Sequence, residues 1–305
     1  MAPRIRALEG VKDTAGVVSL YRRTAATDPT VGAVSPETWD RFVRRDVNHN
    51  GAGFFVVEAD HRLVALASSS FWRTTTEAVR HFRIIVEPSY RRRGIARRLL
   101  EILARLESEG EVTLQSLCPA EWRAGEAFLV RFGFAVVETE LEMRSSKRTV
   151  RLPADEEVEI CRVAEPGEYG TEVAELHNRA YAHDVSFIPF SGGGMVNLMS
   201  GGAQLWVIRY RGLLAGFCHV EPGGDESWIE SLVIDPALQG RHLGTRLMRE
   251  VVSQILDGGR RAVRLSVSNR NTVARRLYEN LGFKLIGKAI RYRAGAEDVG
   301  VALRS

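Results

Sequence analysis

Residues 232–248 read Leu-Val-Ile-Asp-Pro-Ala-Leu-Gln-Gly-Arg-His-Leu-Gly-Thr-Arg-Leu-Met: an apolar run, a proline, a short loop with glycines at 240 and 244, then an amphipathic stretch. The same pattern stands at 84–100 as Ile-Ile-Val-Glu-Pro-Ser-Tyr-Arg-Arg-Arg-Gly-Ile-Ala-Arg-Arg-Leu-Leu, with Pro88 answering Pro236 and Leu99 answering Leu247. Downstream, Arg131-Phe132-Gly133-Phe134 answers Asn280-Leu281-Gly282-Phe283. Upstream, Arg62-Leu63-Val64-Ala65 answers Gly212-Leu213-Leu214-Ala215. Three landmarks in one order at near-constant separation make the chain a tandem duplication of an α/β unit of about 150 residues.

Each copy carries the same succession of periodicities. A strand opens it (Arg4 to Ala7; Glu159 to Val163) and a helix follows (Thr14 to Thr24; Gly170 to Tyr181). Two apolar strands joined by a tight turn come next: Phe54 to Glu58 with Leu63 to Ser68, and Leu205 to Tyr210 with Leu214 to Val220. A further strand ends at the proline (Val79 to Val86; Ser227 to Ile234). Beyond the loop lie a helix (Gly94 to Glu107; Thr245 to Leu256) and a buried strand (Val112 to Leu117; Ala262 to Val267), then another helix, Gly-Phe and a last strand. The expected fold class is α/β with a mixed sheet in each of two domains, 1–147 and 155–305. The polar stretch Ser145 to Glu157 reads as their linker.

Composition narrows the function classes. With 45% hydrophobic and 26% charged residues the chain is neither disordered nor fibrous. Cys118, Cys161 and Cys218 form no CxxC pair, so neither a disulfide framework nor a metal site is expected. The start lacks an apolar leader core, and the uncharged run 185–208 holds Pro189 and Gly192 to Gly194 among other turn formers, so no membrane span is expected and a cytoplasmic protein is the simplest reading. Residues 1–150 hold 23 Lys+Arg against 19 Asp+Glu, and residues 151–305 hold 19 against 19. A net charge of +4, all of it in the first half, is thin support for nucleic acid as a partner.

The loop between proline and helix carries the chemistry. Small residues leading into a helix leave several backbone N–H groups unpaired where the helix dipole is positive, which suits a phosphate. Arg91, Arg92, Arg93, Arg97 and Arg98 crowd the first turns of the helix in the first copy, where a dipole alone disfavours cations. An anion would reverse that preference. The loop lacks the Gly-Lys-Ser/Thr of a nucleotide-triphosphate loop and the GxGxxG of a dinucleotide site. Ile95, Leu99 and Leu100 alternate with the arginines, which favours a helix packed on a core over a nucleic-acid face.

These residues resemble the GCN5-related N-acetyltransferases (GNAT). The strand, proline, Gln/Arg-x-x-Gly-x-Gly/Ala and amphipathic helix are similar to that family's acyl-CoA pyrophosphate loop, and Asn271-x-x-Ala274-x-x-x-Tyr278-x-x-x-Gly282-Phe283 is similar to its second signature. The resemblance spans the chain, once per copy. It implies an acetyl-CoA-dependent N-acetyltransferase acting on a primary amine. In the second copy it implies that backbone groups of Leu232, Val233 and Ile234 pair with the pantetheine arm and acyl carbonyl. It further implies that Gln239, Gly240, Arg241, His242, Leu243, Gly244 and Thr245 cradle the pyrophosphate and that Asn271 contacts pantetheine. Tyr278 would be the general acid near the thioester sulfur, and Glu230 the carboxylate that takes the amine proton. Amine acylation needs those parts: a base, a polarised carbonyl and a proton for the leaving thiolate.

The first copy matches only in part. Ile84, Ile85, Val86 and the loop Arg91, Arg92, Arg93, Gly94, Ile95 and Ala96 fit the cofactor pattern, but Leu129 stands at the tyrosine position, Trp122 at the asparagine and Phe82 at the glutamate. The second copy is therefore expected to be catalytic and the first structural or cofactor-binding. His242 stands where the family usually has glycine. The two-copy layout is similar to that of the mycothiol synthases, which acetylate a cysteinyl amino-sugar, and 186–202 falls where family members place a mobile substrate-covering loop. The acceptor stays open between a small metabolite amine, an antibiotic and a protein N-terminus or lysine. The competing class is a non-catalytic acyl-CoA sensor, which would bind CoA and turn over no amine.

Overall fold

The computed structural model describes residues 3–304 apart from 27, 29, 30, 33, 107–109, 166, 168, 183–186, 200 and 201. In chain order the first elements are β1 (Arg4–Ala7), α1 (Val11–Ala25), α2 (Pro36–Val43), β2 (Phe55–Ala59), β3 (Arg62–Arg73), β4 (Ala78–Val86), α3 (Ile95–Ala104), β5 (Val112–Pro119), α4 (Arg123–Arg131) and β6 (Ala135–Ser145). There follow β7 (Val158–Arg162), α5 (Gly170–Tyr181), α6 (Gly192–Met199), β8 (Gln204–Tyr210), β9 (Leu213–Pro222) and β10 (Glu226–Ile234). The last are α7 (Leu243–Asp257), β11 (Ala262–Ser268), α8 (Thr272–Asn280), β12 (Lys284–Gly295) and α9 (Ala296–Arg304). The expected strand succession is present in both copies. Three helices were not anticipated: α2 in the first copy, which Ser35 caps through its hydroxyl on the Thr38 N–H, and α6 and α9 in the second.

Two compact units emerge, and they are not the linear halves 1–147 and 155–305. Unit 1 is Met1–Val137 with Ile290–Ser305, and unit 2 is Glu138–Ala289. In unit 1 the strands run β1, β2, β3, β4, β5 and then the end of β12. Arg293, on β12, fixes that end by donating Nε to Gln115 at 2.7 Å and pairing with Glu77 at 3.0 Å. α9 follows, and its Val299 and Leu303 are buried with Leu99, Leu103 and Leu114 in one core. In unit 2 the order is β6, β11, β10, β9, β8, β7, with β6 antiparallel to β11 from Glu140↔Ser268 to Ser145↔Val263. Each unit thus completes its sheet with a strand from the other half of the sequence. A boundary drawn by composition misses this, because β6 and β12 carry pairing edges that either copy could use.

The proposed linker has no regular structure between 146 and 154, yet it is strapped along α7 within unit 2. Thr149 donates to the Arg249 carbonyl at 2.7 Å, Arg249 to the Val150 carbonyl at 2.9 Å, and Arg246 to the Pro153 carbonyl at 3.1 Å, while also pairing with Asp155 at 3.0 Å. Because α7 begins at the phosphate-type loop, the strap steadies the helix that would present it. Unit 2 packs α7 on one sheet face through Leu247, Met248, Val251 and Val252. α5 covers the other through Val173 and Leu176 against Phe217 and Val233.

Candidate functional site

The site of unit 2 lies where two parallel strands splay, with a slip in register beside the opening. β10 and β11 pair in parallel only from Glu226↔Ala262 to Ile229↔Leu265, although β10 runs on to Ile234 and β11 to Ser268. On its other side β10 pairs with β9 as far as Ile234↔Gly216, but the register slips between Ile229 and Ser231. Glu230 is the extra residue of that bulge, and it is exposed. A bulge raises local twist and re-aims a side chain, and this one stands where β10 peels from β11. Beyond it, the edge of β10 over Ser231 to Ile234 has no strand partner among the described residues. Unpaired strand N–H and C=O groups demand hydrogen bonds, and an extended amide-bearing arm supplies them in the spacing of a strand. Gly216 keeps the neighbouring strand close: a Cβ there would lie 2.4 Å from the Val233 carbonyl oxygen.

The loop below the splayed edge is ordered by its own side chains. Asp235 accepts from the Ala237 N–H at 2.9 Å to start a short turn, and Gln239 donates to the Ile234 carbonyl at 3.4 Å. The backbone is then left-handed at Gly240 (φ 80°) and again at His242 (φ 58°), which precedes the first turn of α7. Unit 1 repeats this geometry with the residues exchanged: Arg92 (φ 60°) and Gly94 (φ 76°) are left-handed, and Arg91 donates to the Val86 carbonyl at 3.0 Å. Each loop needs two left-handed residues and spends one glycine on them, at opposite positions. His242 is therefore a backbone variant of the same loop, and its side chain is exposed. Alternating backbone conformations of this kind turn successive N–H groups inward toward an anion. A Cβ on Gly240 would meet nothing within 4 Å, so that side of the loop is open. A Cβ on Gly244 would face Ile234 and Leu277 at 3.4 and 3.5 Å, toward the strand and α8.

Tyr278 and Asn271 arrive on and before α8. Asn271 caps this helix, its side-chain oxygen accepting from the Ala274 N–H at 3.0 Å, which leaves its amide hydrogens for other partners. Tyr278 is 6% exposed, packed among Leu281, Leu247 and Phe283. Burial pushes its hydroxyl far above the ordinary phenol range, and the nearby Tyr181 and Cys218 add to this. Such a hydroxyl stays protonated near pH 7. Tyr181, which the sequence reading passed over, donates to the Leu232 carbonyl at 3.3 Å and so joins α5 to the same strand segment. Its signal was the spacing to His177, one helical turn earlier on the face of α5 toward the sheet. Arg241 is exposed and lies over Tyr210, its guanidinium carbon 5.4 Å from the ring centre.

Unit 1 has the splay without the bulge. β4 and β5 pair only from Ala78↔Val112 to His81↔Gln115, but β4 stays in register with β3 from Arg73↔Ala78 to Ala65↔Val86. Phe82 is 2% exposed, and Ser116 donates to its carbonyl at 3.1 Å. Leu129 is core and Trp122 precedes α4. Arg91 pairs with buried Asp28 at 2.5 Å and lies over Trp122 at 5.9 Å, while Arg93 lies over Tyr90 at 5.0 Å. Ile85 and Ile95 are buried, and Ile84 and Ala96 partly so. Among the described residues no group of three or more His, Cys, Asp or Glu could hold a metal ion, and no helix is long and apolar enough to cross a membrane. All three cysteines are free.

The acetyltransferase (GNAT) domain matches this chain twice, at 50–136 and 201–285. The chain belongs to the GNAT acetyltransferase family, as a tandem member, and is an acetyl-transferring enzyme. It is 30% identical over 231 residues to a mycothiol acetyltransferase of Thermomonospora curvata, covering 69% of this chain and 72% of that one. It is 34% identical over 88 residues to the N-alpha-acetyltransferase RimI of Mycobacterium tuberculosis, covering 28% and 54%. In fold it is similar to a tandem GNAT protein from the clavulanic acid biosynthesis pathway, with a TM-score of 0.73 at 17% identity over 96% of this chain and 98% of that one. A GCN5-related N-acetyltransferase from Sphaerobacter thermophilus gives 0.69 at 19% identity, covering 96% of each chain.

Proposed function

We propose that unit 2 transfers the acetyl group of acetyl-CoA to the primary amine of a small molecule, and that unit 1 is non-catalytic. The observation that carries this is the bulge at Glu230. It sets a carboxylate at the opened strand edge of unit 2, whereas unit 1 opens the same edge with Phe82 in an unbroken register. The edge of Leu232 to Ile234 suits the amides of the pantetheine arm, and the loop Gln239 to Thr245 suits the pyrophosphate. Asn271 keeps donors free for the same arm. Bound acetyl-CoA supplies an activated thioester.

The chain's own residues do the rest. Glu230 takes the ammonium proton, directly or through water, so that the nitrogen carries a lone pair. An N–H of the open β10 edge polarises the acyl oxygen. Tyr278 keeps its proton in the apolar core and gives it to the departing sulfur. A small acceptor is favoured over a protein terminus because the likeness to a mycothiol acetyltransferase runs through both copies, while that to RimI covers a single one. In unit 1 the loop Arg92 to Ala96 keeps the phosphate geometry, but Arg91 is committed to Asp28. Thiol release from acetyl-CoA, measured against a panel of primary amines, tests the reading. Tight CoA binding with no turnover on any amine would favour a sensor instead.

A further inference from the structure

Two tyrosine hydroxyls reach the opening beside β10, and the transfer chemistry uses only that of Tyr278. Asp235 gives its N–H to the Ala215 carbonyl at 2.9 Å, so that residue faces β9. Successive residues of a strand point their N–H and C=O to opposite sides, which turns those of Leu232 and Ile234 into the opening. Gln239 donates to the Ile234 carbonyl, and Tyr181, the last residue of α5, donates to that of Leu232. A phenol thus stands beside the edge that β11 has left. His177, one turn earlier on α5, packs on the phenol ring with 4.9 Å between centres.

Tyr181 packs with α5 and Tyr278 with α7, on opposite faces of the sheet. They are close all the same: after burial, Tyr181 is the next influence that keeps the Tyr278 proton in place. Unit 1 lacks this hydroxyl. Buried Val17, Leu20 and Tyr21 of α1 repeat the spacing of Val173, Leu176 and His177 on α5, which sets Ala25 at the position of Tyr181. The second hydroxyl therefore goes with Glu230 and Tyr278, in the unit that carries the bulge.

We propose that Tyr181 makes the site select a primary amine, by accepting a hydrogen bond from the attacking nitrogen. A phenol that has given its one proton to Leu232 can only accept from a further partner. Once Glu230 has taken the ammonium proton, a primary amine keeps two N–H groups and a lone pair. The N–C bond then forms and the C–S bond breaks. The nitrogen sheds one proton to water, the sulfur takes one from Tyr278, and water restores the phenol. Tyr181 keeps its own proton and holds the N–H that stays in the amide. The nitrogen gains positive charge on the way, so this bond tightens in the transition state. A secondary amine keeps no N–H in its product and has none for Tyr181. The inference rests on unit 2 being the catalyst.

The test pairs tyramine, histamine and benzylamine with derivatives methylated on the reacting nitrogen, using the wild type and Tyr181→Phe. Thiol release gives the rates, and titration calorimetry gives the acetyl-CoA Kd. The wild type should prefer the primary amines, and Tyr181→Phe should cut that preference in kcat/KM by about tenfold, through slower primary amines. The Kd should stay within about twofold, since the amine and not the cofactor loses a partner. Equal slowing of both kinds of amine, or a weakened Kd, would overturn the proposal and make the hydroxyl a brace of β10. A preference lost because the methylated amines speed up would overturn it too, leaving a steric gate. A wild type that binds acetyl-CoA yet acetylates none of these amines would sink the reading of unit 2 as their catalyst, and the proposal with it.

Discussion

Replacing His242 with glycine should stabilise unit 2 without weakening acetyl-CoA binding. His242 is held at φ 58° and ψ 13°, in the left-handed region. That conformation costs an ordinary L-residue about 1–2 kcal/mol, with histidine toward the mild end. Glycine escapes the clash but loses roughly 0.5–1 kcal/mol more backbone entropy on folding. The net gain is about 0–0.5 kcal/mol, or a rise of up to roughly 2 °C in the unfolding midpoint for a unit of this size. Arg92→Gly should do the same for unit 1, where φ is 60°. Gly94→Ala, at φ 76°, should cost a similar amount. Differential scanning calorimetry gives the midpoints, and titration calorimetry with acetyl-CoA gives the affinity. Since the imidazole is exposed, Kd should change less than about twofold. A lowered midpoint would refute the left-handed assignment. A tenfold weaker Kd with an unchanged midpoint would mean that the side chain itself holds the cofactor.

Other substitutions probe the chemistry and the frame. Tyr278→Phe should lower kcat by ~10²–10⁴-fold at nearly constant acetyl-CoA affinity, and Glu230→Gln should instead flatten the acid limb of the pH–rate profile; full kcat in Tyr278→Phe would remove the general-acid role. Gly244→Val presses its branches on Ile234 and Leu277, so acetyl-CoA binding and the midpoint should fall together, whereas loss of affinity alone would place the valine on the phosphate side. In unit 1, Asp13 takes two bonds of 2.7 Å from Arg6 and one of 2.7 Å from the Glu9 N–H, and the Arg6 guanidinium chiefly holds its carboxyl below the usual range. A depressed acid contributes stability above its unfolded value near 3.9 and loses it as pH falls through the folded value. Asp13→Asn should lower the midpoint at pH 7 and reduce its fall below about pH 4; an unchanged acid profile would show that the pair does not matter.

What could be read in advance was local. Pro88 and Pro236 end their strands, glycines mark the loops, and apolar alternation locates the strands to within a few residues, because each signal acts on its own stretch of backbone. The bulge at Glu230 could not be read, since it is a slip between β10 and β9 and exists only once they pair. Tyr181 likewise meets the Leu232 carbonyl only through the packing of α5 on the sheet. α6 hid in a glycine-rich run that reads as a loop; Gly192–Met199 is helical, while 183–186, 200 and 201 lie outside the described residues. Arg91 misled in the opposite direction, for its phosphate-like setting gave no hint of Asp28, 63 positions earlier.

The exchange of β6 and β12 bears on how the protein is made. A ribosome delivers the chain from its N-terminus, so the first 137 residues emerge while the strand and helix that finish their sheet, Ile290 onward, are still untranslated. Unit 2 has all its parts once Ala289 is out; unit 1 stays open along β5 until nearly the end. The unit without the proposed catalytic residues is thus the last to close, and a stop codon that spares the whole proposed site would still release a chain with an unsealed sheet.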